Sequence, residues 1–369
     1  MQTKAAVLWE NNSPWSIEDV ELDDPKDGEV LVRLVASGLC HSDDHANTGD
    51  LPTPMPIVCG HEGAGVVEAV GPGVTRVKPG DHVVFAFIPA CGNCNSCSTG
   101  HQNLCDNGAA ALIGLKFDGT SRHHAQGQDL YTLVGLGTLA HHTVVHEWSC
   151  VPIDKNIPLE RACLVGCGVT TGWGSAVYAA KVTPGDDVAI IGIGGIGISA
   201  LMGAKLAGAE RIFAIDPIES KRDEAKRFGA THVAASVEEA FGLIQQETWG
   251  RMCSKVIACV GVGDGQQLAA TMTLVAKRGR LVVTNIHPMM ETDVKLSLCD
   301  LTLMEKEIVG SLFGSANPLF DIPRLLRLYQ GGQLDLDGIV TKTYALEDVN
   351  QGFADMKSGA NLRGVLALG

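Results

Sequence analysis

The feature that most restricts the fold is a strand that turns into a helix through glycines. The apolar run Val188–Ile191 leads into Gly192-Ile193-Gly194-Gly195-Ile196-Gly197, and a small-residue apolar helix pattern follows to Ala207. In this strand–turn–helix context the G-x-G-x-x-G spacing is the fingerprint of a dinucleotide site. Gly192 permits the tight turn, Gly194 lets backbone approach a pyrophosphate, and Gly197 allows helix and strand to pack closely. The backbone of Gly195 and Ile196 opens the helix, whose N-terminus favours negative charge. A second strand, Ile212–Ile215, ends at Asp216, nineteen residues beyond Gly197. A carboxylate there accepts from the adenosine ribose and repels a 2′-phosphate, which favours NAD over NADP.

Strand and helix patterns alternate around this turn. A helix leads to Pro184-Gly185-Asp186, another runs from Ser220 through Phe228, and further strands read at Lys255–Val260 and Arg280–Thr284. Such alternation implies a parallel sheet covered on both faces, an α/β doubly wound domain. Residues 1–90 read instead as short strands between turns, an irregular and mostly β region. The C-terminal stretch carries a helix at Ile322–Tyr329, a strand at Val340–Tyr344, a helix at Leu346–Lys357 and a last strand at Gly364–Leu368. With 369 residues, two domains are expected. They are a discontinuous catalytic domain, 1–170 plus 312–369, and a dinucleotide-binding domain, 171–311. The site is expected in a cleft between them.

The net charge of −14 argues against nucleic-acid binding, which rests on phosphate neutralisation by Lys and Arg, and against an anionic membrane. The N-terminus lacks a signal-peptide pattern, so a cytoplasmic protein is expected. Twelve cysteines then suggest thiols or metal ligands before disulfides.

Four of them, Cys91, Cys94, Cys97 and Cys105, form C-x2-C-x2-C-x7-C. This spacing suits one closed, structural tetrahedral zinc, with an iron–sulfur cluster or a zinc-ribbon binding module as alternatives. Three more candidates stand in glycine-rich or polar windows. Cys40 opens Cys40-His41-Ser42-Asp43-Asp44-His45, His61 sits in Gly60-His61-Glu62-Gly63, and Cys167 sits in Gly166-Cys167-Gly168-Val169-Thr170-Thr171-Gly172. Two thiolates and one imidazole leave a fourth zinc position open, as catalysis requires.

The three windows, the cysteine lobe and the glycine turn occur in the order and spacing of the zinc-containing, medium-chain alcohol dehydrogenases, which the whole chain resembles. The resemblance implies a Rossmann domain beside a GroES-like catalytic domain. It implies two zinc ions per chain, NAD, and reversible hydride transfer between an alcohol and NAD. Cys40, His61 and Cys167 are similar to the catalytic zinc ligands, and Glu62 to a carboxylate placed at that metal. Ser42 resembles the hydroxyl that bonds the substrate oxygen, His45 the exposed end of a proton relay, and Asp43 the carboxylate that orients His61. His41, Thr171, Lys221 and Arg363 join Gly192, Gly194, Gly195, Ile196, Gly197 and Asp216 as implied cofactor contacts. Leu51, Phe87, Leu133, Val134 and Leu312 are the implied substrate lining.

The resemblance also implies a homodimer or homotetramer joined through the dinucleotide domain's edge, here the stretch from Arg280 to Glu307. A glutathione-dependent formaldehyde dehydrogenase is the alternative. It is disfavoured because Lys116 is the only basic residue in 106–117. The segment 106–142, with its Gly108-Ala109-Ala110-Ala111-Leu112 run, is similar to nitrosoaniline-dependent branches that hold NAD through turnover. Its pairs His123-His124 and His141-His142 are expected on surface loops.

Overall fold

The computed structural model describes residues 1–288 and 291–369. It divides into two compact units, one of Met1–Cys167 with Asn317–Gly369, the other of Gly168–Ala316.

The second unit is a six-stranded, wholly parallel sheet. Its order is His232–Ala234, Arg211–Ile215, Asp187–Ile191, Cys253–Ala258, Val275–Val283, Glu307–Gly310. The chain thus starts in the middle, winds outward one way, returns, and winds out the other way. That reversal between Asp187–Ile191 and Cys253–Ala258 is where open α/β sheets make their ligand crevice. The central strand is buried on both faces, which is why it reads as an unbroken apolar run. Helices Gly195–Leu206, Glu219–Phe228 and Val237–Glu247 follow successive strands. The edge strand is Glu307–Gly310, at the far end of the expected edge stretch, while the Arg280 strand is the next one in.

The first unit holds a closed barrel of Gln2–Leu8, Ser16–Leu22, His123–Ala125, Gln128–Thr132 and Ile57–Val58. Beside it lies a seven-stranded sheet centred on Glu29–Gly38. That strand pairs antiparallel with Glu62–Val70, His142–His146 and Arg363–Ala367, so the chain's last strand lies against one of its first. One continuous apolar core, from Leu8 and Val32 through Phe85 to Phe353 and Leu366, fills this unit.

The histidine pairs are not surface loops. His123 is fully buried in a barrel strand, and His142 begins a strand of the large sheet. Among the described residues no helix is long and apolar enough to cross a membrane.

Candidate metal centres and dinucleotide turn

In the lobe, a short helix Asn95–Ser98 starts at Cys94. The Cys91 sulfur accepts the amide of Cys94, the Cys94 sulfur accepts those of Cys97 and Asp106, each at 3.4 Å. Gly92 and Gly100 both have φ of 86°, the left-handed turns that bring the chain around. The Cys91–Cys97 and Cys94–Cys105 sulfur pairs stand 3.9 and 3.8 Å apart. No disulfide has that spacing. Four sulfurs bound to one tetrahedral ion at about 2.3 Å would be separated by roughly that distance. Burial raises the Cys91 thiol, but the amides of Asn93 and Cys94 outweigh this and bring it to about 7. The lobe therefore fits a single zinc by geometry, with Cys91 the thiol readiest to ionise while burial pushes Cys97 and Cys105 up.

The second cluster is wholly buried. Donor atoms of Cys40, His61, Glu62 and Cys167 all lie within 4.8 Å of one another. Each comes from the end of an element. Cys40 precedes helix His41–Thr48, His61 and Glu62 open strand Glu62–Val70, and Cys167 follows the turn Cys163–Gly166. Asp43 Oδ1 accepts the Gly60 amide at 2.7 Å and lies 3.3 Å from His61 Nδ1. That fixes the ring and leaves Nε2 buried with no partner. Buried polar atoms are almost always satisfied, so an orphaned imidazole nitrogen beside two thiols points to a missing ligand. A hydrogen bond from Cys167, aided by the charges of His61 and Arg363, holds the Cys40 thiol well below its ordinary range, and Cys167 is pushed up in return. One thiolate is thus already favoured.

Arg363, fully enclosed, donates through Nη2 to Glu62. Glu62 has room only because position 38 is glycine, where an added Cβ would fall 2.0 Å from its carboxylate oxygen. Gly38 and the Glu62–Arg363 pairing were not expected from the sequence; the register of Gly38 opposite Glu62 is the signal, and it exists only in the folded sheet. Ser42 Oγ lies 3.7 Å from Cys40 Sγ. His45 is 3% exposed, which corrects its expected place as an exposed relay end. Its Nδ1 lies 3.4 Å from Asp50 Oδ2, and Asp50 is the partly exposed group. His41 is exposed.

In the other unit the glycine turn is built as its spacing requires. Gly192 has φ of 87°, and a Cβ on Gly197 would fall 1.9 Å from the Gly192 carbonyl. Gly194 faces open space, and Gly195 and Ile196 begin the helix. Asp216 takes the Ile193 amide on Oδ2 at 2.8 Å and the Ile218 amide on Oδ1 at 2.9 Å, which ties the turn to the end of the next strand. Arg222 spends Nη1 on the carbonyls of Asp216 and Pro217. Lys221 stands in the first turn of helix Glu219–Phe228. Thr171 lies on helix Gly168–Gly174, which packs against the glycine-turn helix through Gly172.

Residues 26–155 match the alcohol dehydrogenase GroES-like domain, and residues 195–330 match the zinc-binding dehydrogenase family. The chain is 51% identical over 368 residues to alcohol dehydrogenase B of Mycobacterium tuberculosis, covering 99% of this chain and 98% of that one. It is 50% identical over 366 residues to an NDMA-dependent alcohol dehydrogenase of Amycolatopsis methanolica, with 99% of each covered. Its fold superposes on benzyl alcohol dehydrogenase from Acinetobacter calcoaceticus with a TM-score of 0.93, 31% identity and 100% of both chains. Two cysteine-rich clusters able to hold a metal, a six-stranded α/β fold and whole-length likeness converge, and the chain belongs to the zinc-containing, medium-chain alcohol dehydrogenases and is a zinc-dependent oxidoreductase of that family.

Proposed function

We propose that this chain oxidises small primary alcohols, or reduces the matching aldehydes, with NAD and two zinc ions, one catalytic and one in the lobe. The observation that carries the reading is the orphaned His61 Nε2 between Cys40 and Cys167, with a carboxylate fixing the other ring nitrogen. A zinc ion held by Cys40, His61 and Cys167 would supply Lewis acidity, making the alcohol proton easier to remove near neutral pH. NAD would supply the hydride acceptor.

The chain's own residues do the rest. Asp43 keeps His61 in one tautomer and one orientation. Arg363 neutralises Glu62, so the buried centre does not carry an unpaired carboxylate. Its Nε has no partner and remains a donor for the cofactor. Ser42 Oγ, beside Cys40, takes the substrate's hydroxyl proton. His45 moves that proton on, and Asp50 stands between His45 and water. At the glycine turn, Gly192, Gly194, Gly195, Ile196 and Gly197 receive the pyrophosphate, while Asp216 meets the adenosine ribose and repels a 2′-phosphate. His41, Thr171 and Lys221 make lesser cofactor contacts.

A glutathione adduct is a poor substrate by this reading. Lys116, the only basic residue in 106–117, is buried with its ammonium committed to the Gly135 carbonyl. Twelve unpaired cysteines fit a reducing, cytoplasmic setting. The edge strand Glu307–Gly310 would extend the sheet across a two-fold axis in a homodimer, or in a tetramer of dimers.

A second reading, NAD retained through turnover, is favoured by the 50% identity to a relative named NDMA-dependent. One pair of assays tests both. Alcohol oxidation is measured with free NAD, and again with a nitroso acceptor and no added NAD. Rapid NADH accumulation in the first supports dissociable NAD, and turnover in the second alone supports retained NAD. No oxidation in either rejects both readings.

A further inference from the structure

A buried lysine and a strained valine meet at residues 132–135. Lys116 is 7% exposed, and its Nζ donates to the Gly135 carbonyl at 2.8 Å. Two residues earlier, the Gly114 carbonyl accepts the Thr132 amide at 2.8 Å, so the 114–116 segment grips both ends of the stretch 132–135. Between these anchors Val134 has φ of 48° and ψ of 31°. A β-branched residue in the left-handed region is a true outlier, and it persists only where its surroundings hold it there.

This stretch runs beside the metal-binding histidine. Ile57 and Val58 pair with Tyr131 and Thr132, while the Thr138 and Leu139 amides bond to the carbonyls of Gly60 and Cys59. Residues 133–137 are therefore an excursion alongside the stretch 57–60 that leads to His61. Val134 packs on the same core as Leu51, Leu133 and Phe87, and the Phe87 ring stands 6.0 Å from the His61 imidazole. Behind Val134 lies a small cavity lined by Glu29, Lys116, Phe117, Val134, Gly135 and His146.

We propose that Lys116 is a positioning residue for alcohol selectivity, holding Val134 in its strained conformation through the Gly135 carbonyl. The proposal rests on the reading of Leu133 and Val134 as substrate-facing. A charge-assisted bond is the stronger kind. Burial lowers the Lys116 ammonium, partly offset by Glu29, to about 8, so it remains cationic at neutral pH.

The test is Lys116→Met, which keeps the stem and removes the donor. Amide hydrogen exchange across 132–138 should quicken while exchange elsewhere stays as in wild type. The KM for benzyl alcohol should rise on the order of tenfold, the loss expected of one charged hydrogen bond, with ethanol KM, kcat and zinc content little changed. Val134→Gly, which accepts the same backbone without the side chain, should move benzyl alcohol KM the same way, and adding Lys116→Met to it should change little more. It also serves if Lys116→Met does not fold. Unaltered exchange overturns the anchor. Quickened exchange with both alcohols scaled equally overturns the selectivity role. A wild type that oxidises neither alcohol overturns the proposed function and the selectivity role with it, while exchange still decides the anchor.

Discussion

The lobe's four cysteines fall within Cys91–Cys105, and their geometry is set by nearby amides and two left-handed glycines. Cys40, His61 and Cys167 come from three distant stretches and meet only because the sheet around Glu29–Gly38 brings them together. The lobe sulfurs are already spaced as a closed tetrahedron requires. The buried centre instead keeps an unused imidazole nitrogen and a carboxylate answered by an arginine. A local site whose four thiols already close a tetrahedron suits a structural ion; a site assembled from afar can afford an open position, because the fold rather than the ion holds it in shape.

If that contrast is right, damage to the two sites separates cleanly. Cys40→Ala should lower turnover by at least about a thousandfold, the several kcal/mol a Lewis-acid centre contributes. NAD binding by fluorescence should survive, and elemental analysis should show the lobe zinc retained. Cys97→Ala should do the converse. We expect loss of the lobe zinc and an unfolding midpoint lower by on the order of 10 °C, with residual activity per folded molecule within about threefold of wild type. If Cys97→Ala abolishes turnover in folded protein, the division of labour is wrong.

Arg363→Leu sharpens the comparison, since it removes the guanidinium that faces the buried Glu62 carboxylate. The cost should be about 3–5 kcal/mol in denaturant unfolding. The loss should be smaller in an Arg363→Leu/Glu62→Gln double variant, and equal losses in the two would reject the pairing as the cause. The smallest effect belongs to His45→Gln. It should slow oxidation roughly tenfold, within the range of general acid–base assistance. Added imidazole should restore part of the rate, and an unchanged rate would remove His45 from the proton path.

What the sequence disclosed follows the same division. The lobe and the glycine turn were legible because their chemistry sits within a few residues, where spacing is geometry. The alternation of strand and helix around Asp216 was legible because burial on both faces writes an apolar run. The members of the buried cluster were assigned as candidate ligands through resemblance to a family, since nothing in Cys40 or Cys167 alone separates a ligand from a core thiol. His45 was expected exposed only by resemblance to a family's relay end, yet helix His41–Thr48 turns it inward. His123 was expected on a surface loop as part of an irregular polar segment, and barrel closure buries it. Gly38 and Arg363 were opaque, because their parts at Glu62 depend on strand register and on a contact spanning most of the chain.

That last contact also sets an order of manufacture. A ribosome releases the N-terminal half first, so the nascent protein can close the lobe as soon as Cys105 has emerged. The strand Arg363–Ala367 and its arginine lie far later in the chain and so are made well after the lobe. Until then the Glu62 carboxylate has no counter-charge, and the edge of Glu29–Gly38 that receives the last strand stays bare. The buried cluster therefore gains its arginine long after the lobe can close, and a chain cut before Arg363 would hold all four lobe cysteines but not the arginine that answers Glu62.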